Sequence, residues 1–334
     1  MVVVGGGAVG LTSAVLMAER GFRVTLLESR EVFGNASGAS LGILSKPLAL
    51  LDGIEKKHAE KAISLHKTMA SRHGYTLAEA KIATPLREYR AILREIAAAP
   101  HRALLVRFSI SRIPELGFSL VLGGTLLMDP LEYRDALLEA AEGLGIDVRT
   151  RSRVVGFVAS GGRCGAAIVE DGERVAGDAF VVAAGPWTDE LLAQLGVRLG
   201  VEPLKGYTLV ARTDRQLDMV IGVDPVYVRP HQRLNGTVMV GGFKLHTASL
   251  KVDETHVRAM VKAAERVGVK LDEVLEVRTG LRPCLEKPLV APIGASNVIA
   301  ATGHCRHGML LAPLAAEQVL KAVEGLTSTS AERA

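Results

Sequence analysis

Three stretches of the chain carry residue types that chemistry needs. The first is Gly5-Gly6-Gly7-Ala8-Val9-Gly10, which places Gly5, Gly7 and Gly10 at G-x-G-x-x-G spacing. It follows the apolar run Val2–Val4 and opens a stretch in which Leu11, Ala14, Val15 and Ala18 share one helical face. Gly5 permits a tight turn, Gly7 lets the backbone approach a diphosphate, and Gly10 lets helix and strand pack closely. The N–H groups of the first turn, with Ala8 and Val9 among its residues, are presented to an anion. Glu28 ends the next apolar run about 20 residues on, where a carboxylate meets a ribose hydroxyl, with Ser29 beside it. This context predicts dinucleotide binding and a bare 2′-hydroxyl, and by itself fits NAD as well as FAD. The second stretch is Thr-Gly-Leu-Arg-Pro, 279–283, in which Arg282 offers a planar fork suited to a carboxylate. The third is Thr-Gly-His-Cys-Arg-His-Gly-Met-Leu-Leu, 302–311, a basic turn running into an apolar helix. The start of such a helix favours negative charge, so an electron-rich group is expected against Gly303, Gly308, Met309 and Leu310.

The elements that position these residues follow from periodicity. Val2–Val4, a helix over Leu11–Arg20 ended by Gly21, and Arg23–Glu28 make a βαβ start. Asp52–Arg72 and Ala80–Ala99 both have helical patterns, the second broken at Pro85. A helix over Leu131–Leu144 follows Asp129-Pro130. Ile146–Arg149 and Val154–Val158 read as strands, and Gly165–Ile168 with Glu173–Ala176 flank the hairpin turn Asp171-Gly172. Asp178–Ala184 is a buried strand and Asp189–Leu195 a helix. From Pro203 to Gly242 the alternation is that of an antiparallel sheet. Within it, Tyr227 and Arg229 fall on one face and Val228 on the other. Tyr207, next to Gly206, is a further candidate for the same pocket. His256–Val267 is helical, Val290–Ile293 and Asn297–Ala301 are short strands, and a helix covers Met309–Val323.

The chain has 334 residues, 48% of them hydrophobic and 23% charged, which supports a large core rather than a disordered chain. The net charge is +4 with bases scattered among acids, so no nucleic-acid partner is expected. Cys164, Cys284 and Cys305 make no metal or C-x-x-C spacing, and their odd number fits free thiols in a reducing compartment. No leader peptide or clean membrane span is read from the sequence, so the expected location is cytoplasmic, with peripheral membrane association left open.

With these segments in view, the chain resembles the FAD-dependent D-amino-acid oxidase family, the group of glycine oxidase, sarcosine oxidase, D-amino-acid dehydrogenases and dye-linked proline dehydrogenases. The resemblance rests on GGGAVG with Glu28, NASGASLGIL (35–44), LLMDPLEYRDALLEAAEGLG, VVAAGPWTDELLAQLG, VEPLKGY, VYVRP, TGLRP and GHCRHGMLLAP, in that order. It implies an α/β fold: a Rossmann-like FAD-binding domain (1–45, 120–202 and 275–326), an inserted substrate domain on a mainly antiparallel sheet plus helices (46–119 and 203–274), and a flexible tail (327–334). It further implies that Ser37, Gly38, Ser40 and Gly42 lie along the cofactor, that Val155 or Val154 meets the adenine, and that Ala184, Gly185 and Trp187 pass close by. Arg282 and Tyr227 would hold a substrate carboxylate. Arg306 would reach the substrate or cover the flavin, and His304 would orient the loop. The implied cofactor is noncovalent FAD, because the linking cysteine of sarcosine oxidases falls at Gly280 here, and no metal is implied. The implied reaction is oxidative deamination of a small amino acid (glycine, sarcosine or a D-amino acid). Hydride passes from the α-carbon to flavin N5, and the imine is hydrolysed. Either O₂ or a quinone or protein carrier takes the electrons, which leaves oxidase and dye-linked dehydrogenase as alternatives. A homo-oligomer, or a flavin subunit of a larger amine dehydrogenase, is compatible with this resemblance.

Overall fold

The computed structural model of the chain describes residues 1–88 and 105–331. Strand β1 (Val2–Val4), helix α1 (Ala8–Glu19) and strand β2 (Thr25–Leu27) form the expected first unit, with β1 parallel to β2. The chain then makes β3 (Ile43–Ser45), α2 (Lys46–Leu51) and α3 (Lys56–His73). The Ser45 side chain caps α2, and α3 ends on Gly74 in the left-handed region at φ 80°. Helix α3 buries Ala59, Ala62, His66 and Met69 on one face. That face joins the core formed by α1 and the C-terminal helix.

Residues Ala78–Pro85 are a strand, β4, where helical composition predicts a helix from Ala80. Pairing with the strand over Gly117–Leu127 overrides the helix propensity of its Ala, Glu and Lys residues. The rest of that expected helix, 89–99, lies outside the described residues. Strands β5 (Phe108–Ile113) and β6 (Gly117–Leu127) form a hairpin, and α4 (Pro130–Gly143) follows with Asp129 as its cap. The Asp129 carboxylate accepts from the Leu131 and Glu132 N–H groups at 2.8 and 3.1 Å. Strand β7 (Asp147–Arg149) returns to the first unit. Strands β8 (Val154–Ser160), β9 (Arg163–Val169) and β10 (Arg174–Ala176) make a separate antiparallel meander. Next come β11 (Phe180–Val182) and α5 (Thr188–Ala193), then β12 (Glu202–Arg212), β13 (Val220–Val223), β14 (Val226–Pro230) and β15 (Thr237–His246). Helix α6 (Glu254–Arg266) packs on the antiparallel sheet. Strand β16 (Glu273–Pro292) is followed by β17 (Val298–His304) and α7, which runs from Gly308 to Ala331, past the Thr327 at which a flexible tail was expected.

The described strands apart from the meander form one sheet in the order β7-β2-β1-β11-β17-β16-β12-β15-β14-β13-β4-β6-β3, with β5 against β6. From β7 to β17 every pairing is parallel. From β17 onward the pairings are antiparallel apart from β4 with β13. This is the α/β architecture expected from the sequence: a Rossmann-like region joined to an added β-sheet. Strand β16 joins the halves, its first part pairing with β12 and its last part with β17.

Helix α7 contains Pro313, which has no N–H to give the carbonyl four residues back. That carbonyl is Met309, and the buried His66 ring on α3 fills the vacancy: its Nε2 donates to Met309 O at 2.9 Å. The bond fixes the Nε2–H tautomer and leaves Nδ1 facing the Tyr75 hydroxyl at 3.1 Å. Burial pulls the ring's pKa down to about 4, against the opposing pull of the Met309 and Leu310 carbonyls. Folded His66 therefore binds fewer protons than the unfolded chain between its ordinary value of 6.5 and about 4. Its contribution makes stability fall as pH drops through that window, by about 3 kcal/mol in all. We expect His66→Gln to flatten the loss of stability between neutral pH and about pH 4.5, measured by urea midpoints. An unchanged slope would contradict a neutral, donating His66.

Candidate active site

The turn after β1 has the features a diphosphate cradle requires. Gly5 sits at φ 106°, and a Cβ on it would stand 2.4 Å from the Ala183 carbonyl oxygen. A Cβ on Gly10 would stand 1.9 Å from the Gly5 oxygen, so this glycine serves helix–strand contact. Gly7 begins α1 without a capping side chain. Ser37 supplies the cap from across the loop, its hydroxyl oxygen accepting from the Ala8 N–H at 2.9 Å. Glu28 folds its carboxylate over the same turn. It accepts from the Gly6 N–H at 2.6 Å, the Arg30 N–H at 2.9 Å and the Ser29 hydroxyl at 3.0 Å.

From this turn a cavity of about 610 Å³ runs to the antiparallel sheet. Gly5, Gly7, Ala8, Val9, Glu28 and Ser29 line its first part, with Ser37 and Ser40 from the following loop. Ala184, Gly185 and Trp187 form another wall, and Trp187 is 38% exposed rather than a core residue. Gly308 and Met309 bring the start of α7 to the cavity.

Six expected contacts lie off the wall, each for a local reason. Gly10 is beneath Gly5, as above. Gly38 donates its N–H to Phe33 O at 3.0 Å, and a Cβ on it would lie 2.2 Å from that oxygen. Gly42 sits at φ 61°, where a Cβ would be 1.8 Å from Met128 O. Val155 faces outward by strand alternation, so its neighbour Val154 takes the wall position. Gly303 sits at φ 82° against the Leu285 side chain, and Leu310 points into the core. Five of these six positions are glycine or helix residues that shape the backbone beside the cavity.

The far end of the cavity holds Arg282, Tyr227, Tyr207 and Arg306. The Arg282 guanidinium donates through Nη1 to Phe243 O at 2.9 Å, and among the described residues it has no carboxylate in salt-bridge range. Burial, and secondarily the charge of Arg306, lowers its pKa to about 10. Gly206, opposite Gly280 in the β12–β16 register, makes room: a Cβ there would stand 1.9 Å from the guanidinium. Tyr227 lies on the cavity wall, whereas Arg229 is fully buried elsewhere. Arg229 donates to the carbonyls of Leu41, Met128 and Pro230 and to the Gln232 side chain, and so ties loops together. Tyr207 reaches the cavity with its ring, but its hydroxyl accepts from the Asp253 N–H at 3.1 Å.

Arg306 and His307 both bind Asp52, at the end of α2. Burial raises the Asp52 pKa, but the His307 hydrogen bond and the nearby Arg306 charge outweigh it and hold the carboxyl at about 2. Asp52 thus engages the arginine that the sequence assigned to substrate or flavin. His304 is buried on the cavity wall, and burial lowers its pKa to about 4, leaving it neutral. Cys284 and Cys305 form a disulfide, which corrects the expectation of free thiols; Cys164 is free and buried. Sequence reasoning missed Asp52, His66 and Asn35. Asn35 accepts the Leu281 N–H at 2.7 Å, and its own buried Nδ2 has no partner among the described residues. The NASGAS motif marked its loop, but nothing in the sequence linked Asp52 or His66 to residues over 240 positions away.

A glycine cradle at the end of a parallel sheet, opening into a pocket sealed by an antiparallel sheet, defines a dinucleotide-dependent oxidoreductase. The family model described as FAD dependent oxidoreductase, the D-amino-acid oxidase group, matches residues 1–322, and the chain belongs to that family. It is similar to a glycine oxidase of Pseudomonas aeruginosa, 27% identical over 94% of this chain and 91% of that one. A D-amino acid dehydrogenase of Phenylobacterium zucineum is 31% identical over 45% of this chain and 37% of its own length. The solved glycine oxidase of Geobacillus kaustophilus shares the fold with a TM-score of 0.81 at 21% identity, covering 97% of this chain and 94% of that one. The L-proline dehydrogenase of P. horikoshii does so with a TM-score of 0.75 at 17% identity, covering 97% and 92%.

The orphaned Asn35 amide and the Gly5–Gly7–Glu28 turn fit the nucleotide of FAD. Glu28→Ala removes the acceptor that holds the Gly6 N–H. We expect flavin affinity to fall by about 10- to 100-fold, read as a lower flavin-to-protein absorbance ratio after purification. A fully loaded variant would contradict the role of Glu28.

Proposed function

We propose that the protein oxidises a small amino acid (glycine, sarcosine or a D-amino acid) with noncovalently bound FAD, releasing the oxo acid after hydrolysis of an imine. The observation that carries this reading is the Arg282 guanidinium at the cavity end, which among the described residues donates to one carbonyl, Phe243 O, and has a planar fork of further donors suited to a carboxylate. The curated relatives named glycine oxidase and D-amino acid dehydrogenase support the substrate class.

When bound, the flavin supplies a two-electron acceptor for the substrate's α-hydrogen. The chain's own residues do the rest by placement. Arg282 holds the carboxylate, and the Tyr227 hydroxyl on the same wall gives a second point of attachment. Two fixed points on one carboxylate leave the α-carbon little freedom, which is the main demand of a reaction without an obvious acid–base pair. The start of α7, at Gly308 and Met309, offers N–H groups and a positive dipole end to negative charge that develops at the cavity. Neutral His304 adds no competing charge beside Arg282. Arg306, held by Asp52, serves as part of the rim rather than as a second clamp.

Replacing Arg282 with alanine should raise KM by about 100-fold or more with flavin content unchanged, while Arg282→Lys recovers part of the loss. The substrate is identified by anaerobic mixing with glycine, sarcosine, both prolines and a set of D-amino acids. Bleaching of the flavin by one or more of them is expected, and admission of air against addition of a dye then separates oxidase from dehydrogenase. A KM unmoved in Arg282→Ala would remove the carboxylate reading.

A further inference from the structure

The Cys284–Cys305 disulfide joins the two segments that shape the substrate end of the cavity. Cys284 follows Arg282 by two residues on β16; Cys305 immediately precedes Arg306 and stands three residues before α7. The ladder between β16 and β17 is broken beside it. Cys284 faces His304, and the next pair is Leu289 with Thr302. Between those pairs β16 advances by five residues and β17 by two, so three residues of β16 loop out. Cys284 keeps its pairing with His304 and, on its other side, with Glu202 of β12, but the β16–β17 ladder beyond it is interrupted up to Leu289, so on the β17 side the link stands at the end of the ladder. Cys305 itself sits at φ 45°, a region that costs a non-glycine residue about 1 kcal/mol or more. The two segments also carry like charges, Arg282 on one and Arg306 on the other, near enough to act on each other. Asp52 offsets the charge on Arg306 alone. Cys305 lies on the cavity wall and both cysteines are only partly buried, so a small thiol can approach through the cavity.

We infer that this disulfide is a redox-sensitive positioning element: joined, it holds Arg282 and the Arg306 turn in register for a substrate carboxylate; reduced, it lets them separate and weakens substrate binding without releasing the flavin. The glycine cradle at Gly5–Glu28 stands on segments that the link does not join. This inference rests on the carboxylate reading of Arg282, and the test separates the two.

The probe is glycolate, a carboxylate without an oxidisable amine, titrated into the flavin-bound protein by the change in flavin absorbance. Dithiothreitol should raise the thiol count of the denatured protein from one to three. We expect the glycolate Kd to rise about tenfold, with the flavin-to-protein ratio unchanged and the affinity restored by reoxidation. The Cys284→Ser/Cys305→Ser protein should show the weak Kd from the start and ignore dithiothreitol. Amide exchange over 283–308 should increase on reduction while the Val2–Glu19 segment stays protected. Unchanged Kd after both new thiols appear would overturn the inference. Should glycolate bind in neither state, the carboxylate reading fails, and the exchange experiment alone judges the link: no gain over 283–308 rejects it.

Discussion

A half-buried positive charge on the cavity wall sets the terms for this cavity. The Arg282 guanidinium lies deep enough for burial to lower its pKa to about 10, yet it remains charged at neutral pH. A buried charge without a full set of partners costs several kcal/mol. Under the proposed function a carboxylate ligand supplies what the protein leaves out, and the cost of the free pocket becomes selectivity for acids. Lysine would not serve as well. Burial would lower the pKa of an ammonium there as well, from a starting value already below that of a guanidinium. It would also lack the fork that holds both carboxylate oxygens.

That placement depends on backbone brought unusually close. Gly206 lies under the guanidinium, and a side chain there would displace it. Gly280, on the neighbouring strand, lies against the loop that begins at Asn35, with the position of a Cβ 2.6 Å from the Ala36 Cα. Hydrogen bonds tie the same loop to the antiparallel sheet: Leu281 N–H to Asn35, Thr208 hydroxyl to Ala39 O, Arg278 to Gly38 O and Arg229 to Leu41 O. Since Ser37 of this loop caps the cradle helix, the nucleotide end and the substrate end share one short connector. Strand β16 completes the coupling because it belongs to both the parallel and antiparallel halves.

Much of this was legible in the sequence where local rules decide. The turn at Gly5–Gly10, the capped helix after Asp129 and the hairpin at Asp171-Gly172 each follow from backbone chemistry within a few residues. Arg282 and Tyr227 were legible through motif order, and the sheet brings both to one cavity. Other features depend on distant partners. Ala78–Pro85 has helix-forming residues but takes the conformation that β6 and β13 require. Alternation placed Arg229 beside Tyr227, yet a guanidinium has more than one reachable environment, and carbonyls from Leu41 and Met128 claim it. Asp52 could not be paired with Arg306 from a pattern, because the pair depends on how α2 docks beside the final turn.

Helix α7 shows how such a distant contact acquires chemical meaning. Its start must present N–H groups to the cavity, so its first turn has to be held in one orientation. Pro313 fixes local backbone geometry but strips Met309 of its helical hydrogen bond. A buried carbonyl left in that condition would cost about 1–3 kcal/mol. His66 resolves the conflict from α3 by donating its Nε2–H to that carbonyl. Helix α3 is therefore more than a lid over the core. Through one imidazole it sets the direction of the helix end that faces the cofactor pocket, although no residue of α3 lines that pocket.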